Sequence, residues 1–256
     1  MTAFSLILFI LWERQISAPL IPLSLFKSWQ FCRNNLASFV IGFATYSNIF
    51  FLSLYFQNAQ GYSAVETGIR LAPEFIAMGI FAMSYGKLAK IFDTEHLIRF
   101  AFVLIFISSM IMAFFTHNTN YRIIAITMFV MGSGMGIAIP AISLLTLKDA
   151  KSSNLGSISA IMNAFRQTGM AISIALLGAI MSFSAVQQLK TLLSAMINYE
   201  NVANNIITQA IIPNDLNIPL TQIQASWAYG FNMAMVGAAI STAIVIICLL
   251  IKRDKT

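Results

Sequence analysis

The chain has 256 residues, 58% of them hydrophobic and only 9% charged, with a mean hydropathy of +0.79. Soluble domains carry roughly a quarter charged residues, so this composition excludes a water-soluble globule and makes lipid the main solvent. The formal charge of +6, from 15 Lys and Arg against 9 Asp and Glu, is in such a chain a topology signal, and no nucleic-acid partner is implied.

Residues 1–11 are apolar but give only about 17 Å of helix at 1.5 Å per residue, short of a hydrocarbon core of roughly 30 Å. They read as the tail of a span whose beginning is missing, or as a signal peptide. Against the second reading, no Lys or Arg precedes the apolar run, and Glu13 and Arg14 follow it directly. Six later stretches are long enough to cross: residues 36–55, 68–88, 97–115, 123–145, 155–183 and 228–251. Residues 184–226 break the pattern of short loops. Val186, Leu189, Leu192, Leu193, Met196 and Ile197 recur at helical spacing, so this external loop begins as a helix lying on the membrane or extending the span before it. Pro213 and Pro219 should end any regular helix there. The segment is a tolerated insertion or a partner-binding element.

Charge sorts the loops if the first segment runs from outside to inside. Arg14, Lys27, Arg33, Lys87, Lys90, Arg99, Lys148, Lys151, Lys252, Arg253 and Lys255 then fall on one side, and only Arg70, Arg122 and Lys190 on the other. Basic residues are retained in cytoplasmic loops, which puts the C-terminus in the cytoplasm. Trp12, Tyr55, Tyr62, Tyr121 and Trp227 stand near span ends, where amphipathic rings prefer the headgroup layer. An outside start without a signal is explained most economically by a longer protein, truncated or encoded as a split frame.

No enzyme is expected. His96 and His117 are the only histidines and fall on opposite sides of the membrane, and no Ser-His-Asp set, paired intramembrane aspartates or zinc-type spacing exists. Cys32 and Cys248 lie far apart without metal-ligand companions, so neither a metal site nor a disulfide framework is implied. The polar residues inside the spans are the candidates for function. Glu66, Arg70 and Glu74 can share one helix face. Glu74 either binds a proton or a cationic substrate, or is neutralised by Arg70 near the outer interface; Pro73 bends the helix or marks its first turn. Arg166, with Asn163 and Gln167 beside it, lines a cavity or else snorkels to the inner interface. Asn48 faces the bundle interior, for function or to bond a neighbouring helix. Gly132, Gly134 and Gly136 precede Pro140, and Gly156, Ala160 and Ala164 repeat at four-residue intervals. These stripes read as helix contacts and, at Pro140, a hinge.

Four stretches carry a resemblance: PLIPLSLFKSWQF from Pro19 to Phe31, LYFQNAQGYSAVETGIRLAP from Leu54 to Pro73, MGSGMGIAIP from Met131 to Pro140, and GSISAIMNAFRQTGMAISIALLG from Gly156 to Gly178. The last matches an Asn-x-x-Arg-Gln-x-Gly pattern at Asn163, Arg166, Gln167 and Gly169. Together they resemble the C-terminal half of the fourteen-span EmrB/QacA-type drug:proton antiporters of the major facilitator superfamily. Residues 86–93 depart from that superfamily's Gly-x-Leu-Ala-Asp-Arg-x-Gly loop. Lys90 stands where the aspartate belongs and Asp93 where the glycine does, so the inter-domain charge clamp is not carried over to this half.

The resemblance implies an all-α polytopic membrane bundle, the six-helix C-terminal half of a major facilitator fold plus a partial linker helix. Its parts would be a truncated linker and cytoplasmic link (1–35), the bundle (36–251, with the external loop 184–226) and a cytoplasmic tail (252–256). It implies alternating-access export of a hydrophobic drug-like substrate from a bacterial inner membrane, with the proton gradient as energy source and no cofactor. The implied partners are the lipid bilayer, a separate N-terminal transporter half and, in double-membraned bacteria, a periplasmic adaptor and outer-membrane channel. The competing expectation is a non-transporting remnant or interaction subunit.

Overall fold

The computed structural model describes residues 23–148, 154–193, 199–209 and 218–251. The expectations for the opening half-span, for Trp12, Arg14, Lys151, Met196, Ile197 and Pro213, and for the tail lie outside the described residues.

A 3-10 turn, Leu23–Lys27, leads to Ser28, whose hydroxyl accepts the Phe31 N–H at 3.4 Å and so satisfies one orphan donor of the helix that follows. That helix, α1 (Trp29–Ala59), begins at the Ser28 cap, before the expected residue 36, and its first turns bury Arg33, Asn34 and Asn35. Two of its stretches, Ile41–Tyr46 and Tyr55–Ala59, are wound wider, as π-helix. Such local widening is rare and recurs at functional sites. Gly61, at φ 74°, supplies the left-handed residue that turns the chain.

The span expected from residue 68 starts differently. A short helix, α2 (Ala64–Arg70), is opened by a capping box in which Ser63 and Glu66 satisfy each other's backbone N–H groups. Leu71 separates it from α3 (Ala72–Ile91), where Pro73 occupies the first turn and forfeits no helix bond. Asp93, the departure from the superfamily loop, caps α4 (Thr94–Met112) by accepting the Glu95 N–H at 3.2 Å. Then come α5 (Tyr121–Leu147), which contains Pro140, α6 (Leu155–Leu192), α7 (Tyr199–Gln209) and α8 (Leu220–Leu250).

Among the described residues, α1, α4, α5, α6 and α8 are long and apolar enough to cross a membrane. Helix α3 has 20 residues, about the length needed, but Glu74, Lys87 and Lys90 dilute its apolar character. Thus five of the six expected stretches qualify on length and composition, and α3 on length alone.

The expected external loop is largely helical where it is described. Helix α6 runs past residue 183, α7 follows, and Pro219 stands at the N-cap position of α8, so no described helix continues through it. The reason is a second apolar core, in which Ala185, Leu189, Leu193, Ala203, Ile206 and Ile223 pack together, with Trp227 bridging to the main one. In the main bundle α3 and α4 pack on α5, α6 packs on α1 and α8, and α8 also packs on α4. Tyr55 closes one end, its ring 4.8 Å from Phe231 and its hydroxyl donating to the Thr116 carbonyl at 2.6 Å. At the opposite end Arg33 pairs with Glu95 at 3.2 Å, and Arg99 reaches both Glu95 and the Leu249 carbonyl.

Candidate functional site

Glu66 and Arg70 stand four residues apart on α2, but Leu71 separates them from Glu74, which lies on α3. Glu66 is exposed in its capping box. The Arg70 guanidinium lies 3.8 Å from the centroid of the Tyr62 ring and 5.1 Å from that of Tyr121, and the Tyr121 hydroxyl donates to the Arg70 carbonyl at 3.2 Å. Two aromatic faces thus hold the cation that the spacing offered to Glu74. No ion pair joins Arg70 to Glu74, which corrects the expectation that Arg70 neutralises it.

Glu74 is instead buried, with 1% of its surface exposed, where the backbones of α3 and α5 meet. Gly132 permits that approach, since a Cβ there would collide with the Glu74 carbonyl. The Asn48 side chain, fully buried on α1, is a neighbour close enough to act on the carboxyl. No well-formed hydrogen bond closes between them, and both polar atoms of each side chain lack a partner. Unsatisfied buried polar groups are uncommon in native proteins and mark sites that ask for an explanation. Three helices here converge on a carboxyl and an amide held away from water without mutual satisfaction.

A second polar site lies farther along α1, roughly 10 Å before Asn48 at 1.5 Å per residue. A cleft of about 220 Å³ opens between α1, α5 and α6, with Ser38 and Ile41, Ile142 and Ser143, and Asn163 and Arg166 on its three walls. Arg166 Nη2 donates to Asn163 Oδ1 at 2.7 Å, and the guanidinium lies 5.7 Å from the Tyr46 ring centroid. Arg166 thus belongs to a cleft wall, about three turns inside α6. Gln167 is exposed and does not line the cleft, since adjacent helix positions diverge by about 100°. Close packing fixes the α1 and α6 walls. A Cβ at Gly42 would strike the Arg166 carbonyl, and one at Gly169 the Phe39 carbonyl.

In α5, Gly132 and Gly136 meet the α3 backbone at Glu74 and Met78, while Gly134 faces α4 at Ala101. Pro140 offers no N–H to the Gly136 carbonyl one turn earlier, beside the cleft residues Ile139 and Ile142. Gly156 departs from the expected packing role, because a Cβ there would meet nothing within 4 Å. It lies instead on an open groove with Ala160 and Ala164. Sequence reasoning missed Ser38, Tyr46, Ser143 and Ser159. Their signal was available, since hydroxyls inside apolar spans are as notable as amides.

Sequence comparison places this chain beside drug-resistance transporters. It is 29% identical over 169 residues to the methylenomycin A resistance protein of Streptomyces coelicolor, covering 66% of this chain and 36% of that protein. Identity is again 29%, over 180 residues, to the methylenomycin A resistance protein of Bacillus subtilis, covering 70% and 39%. It is 26% over 174 residues to the multidrug transporter protein MdtP of Bacillus subtilis, covering 68% and 32%. The matched region is thus about two-fifths or less of each relative's length. Residues 2–174 match the sequence model of the Major Facilitator Superfamily. That match takes in well over half of the sequence and agrees with the all-α, multi-pass membrane fold, so the chain belongs to the major facilitator superfamily.

Proposed function

We propose that the chain is the C-terminal half of a proton-coupled exporter of hydrophobic, drug-like molecules, of the fourteen-span EmrB/QacA type. It works by alternating access in a bacterial inner membrane, with its C-terminus in the cytoplasm. The observation that carries the reading is the cleft among α1, α5 and α6, a partly polar hollow inside a bundle of membrane-spanning helices. One bundle forms one wall of a path that a partner N-terminal half completes, as in transporters built from two repeats. The names of the relatives, two resistance proteins and a multidrug transporter, support export.

Glu74 and Asn48 are the coupling site in this reading. An ionisable residue within the membrane is costly and marks a proton or ion pathway. The α1–α3–α5 packing shelters the Glu74 proton, and separation of those helices lets water take it. The helical cluster built on α7 is the place where a periplasmic adaptor docks.

The test supplies the missing half. In cells carrying this chain together with a polypeptide that furnishes the other canonical helices, accumulation of the hydrophobic dye Nile red falls relative to cells carrying either part alone. Equal accumulation in all three removes the export reading and leaves the interaction-subunit alternative. Glu74→Gln retains membrane insertion and dye binding but loses proton release on substrate addition. Proton release at the wild-type level from that variant removes Glu74 from coupling.

A further inference from the structure

We infer that the Arg166 cleft selects anionic amphiphiles: it takes the carboxylate of a small apolar acid on the Arg166 guanidinium and lays the apolar remainder on Ile41, Ile139, Ile142 and Met162. The inference rests on the transport reading above and names the substrate class of that site.

Charge is the first argument. The three helices that wall the cleft contain no Asp or Glu anywhere along residues 29–59, 121–147 and 155–192. Among the described residues the acidic partners in ion pairs are Glu95 and Asp93, serving Arg33, Arg99 and His96, so no described carboxylate neutralises Arg166. A guanidinium stays charged and offers five N–H donors in a planar fork. One donor is committed to Asn163 Oδ1, and one side is turned to the Tyr46 ring. Among the described residues the other donors meet no acceptor, and the fork suits a carboxylate's two oxygens. A cation of the same shape meets only repulsion.

Geometry is the second. Asn163 accepts from Arg166 through its oxygen, which leaves its amide nitrogen to donate to the same anion. The Ser143 hydroxyl is spent on the Ile139 carbonyl at 2.9 Å, whereas Ser38 adds a hydroxyl from the facing α1 wall and Ser159 one from the α6 wall that carries Arg166. The Gly42 and Gly169 contacts hold the α6 backbone against α1 at Arg166, so the cation is positioned in advance. A volume of about 220 Å³ is below the roughly 300–1,000 Å³ of drug-sized sites. It suits a carboxylate bearing one or two rings, with any longer tail leaving through the open side.

An anionic lipid headgroup presents the same oxyanion chemistry, so the experiment separates the two sources. The chain in phosphatidylcholine nanodiscs is titrated with 1-naphthoate, 1-naphthamide and 1-naphthylmethylammonium, following ligand fluorescence. Naphthoate binds saturably and about tenfold or more tighter than the cation, and Arg166→Ala removes about tenfold of that affinity, both on the scale of a charge-assisted pair. Arg166→Lys recovers part of it, because a point charge replaces the fork. Arg122→Ala, at the far end of α5, binds like wild type. Equal affinity for the three probes overturns the inference, as does an Arg166→Ala variant that melts and binds like wild type. Phosphatidylglycerol in the discs that abolishes naphthoate binding, and whose retention depends on Arg166, assigns the site to lipid and also overturns it. The two readings fail separately. Nile red export with charge-blind naphthoate binding sinks this inference alone, and selective naphthoate binding with export of neither Nile red nor naphthoate sinks the transport reading alone.

Discussion

Gly132 and Gly156 are the same residue in opposite situations. The hydrogen of Gly132 lets the α5 backbone rest on the Glu74 carbonyl, whereas Gly156 faces open space. Gly132→Ala therefore overpacks α5 against α3 and lowers stability by about 1–3 kcal/mol. Gly156→Ala loses no packing and gains about 1 kcal/mol of helix propensity at most. Thermal unfolding of the two variants in one detergent checks this, and a Gly132→Ala variant as stable as Gly156→Ala would falsify the distinction. The sequence showed both glycines as members of small-residue stripes but not their neighbours, because spacing defines a face and not what stands opposite it. The same limit explains Arg70 and Glu74. Their four-residue spacing suggests a pair, yet Leu71 breaks the helix between them, and Tyr62 and Tyr121, from separate parts of the chain, take the cation. Arg166 was legible as a cation inside an apolar stretch, while the serines and Tyr46 around it are collected only by folding.

Helix α2 owes its start to a local device that titrates. The Ser63 backbone N–H, at 2.9 Å, and hydroxyl, at 2.8 Å, hold the exposed Glu66 carboxyl below its ordinary pKa, with a smaller push from the Arg70 charge. A depressed folded-state pKa means that the added stability is present above the unfolded value, about 4.3, and is lost as pH falls through the folded one. Hydrogen-exchange protection of the Thr67 amide, bonded to the Ser63 carbonyl at 2.9 Å, should therefore be constant from neutral pH to about 5 and decline below about 4. Glu66→Gln keeps the neutral half of the box and flattens that profile. A wild-type profile that is already flat would remove the carboxylate from the capping. This box follows an S-x-x-E pattern and is readable in the sequence, as is the extension of α6, from the periodicity of residues 186–193. The π-type stretches of α1 are not, because no residue preference compels an extra residue per turn. They lie where Gly42 sits on the Arg166 carbonyl and where Tyr55 and Phe56 enter the core.

Taken whole, the bundle was legible where burial in lipid dictates composition and obscure where helices fasten to one another. Apolar length located the spans, but it gave no hint that Arg33 meets Glu95 and Arg99 at one end: Glu95 and Arg99 stand four apart on one helix, whereas the 62 positions between Arg33 and Glu95 carry no spacing signal. That meeting joins three helices: Arg33 on α1 pairs with Glu95 on α4, and Arg99 on α4 donates to the Leu249 carbonyl at the end of α8. Arg33 is 8% exposed and Glu95 37% exposed, so water screens one partner and not the other. Removing one member of a fully buried pair costs about 3–5 kcal/mol because the other charge is stranded. Exposure of Glu95 discounts that, and Glu95→Ala should lower unfolding stability by about 1–2 kcal/mol. Arg33→Met alone should cost less, since the stranded partner is then the solvated one. Arg33→Met with Glu95→Ala should recover most of the Glu95→Ala loss, because no buried charge is left without a partner. Equal melting of wild type and Glu95→Ala would show that this end of the bundle is fastened by apolar packing alone. A double variant less stable than both single ones would show that Arg33 contributes through its packed stem rather than its charge.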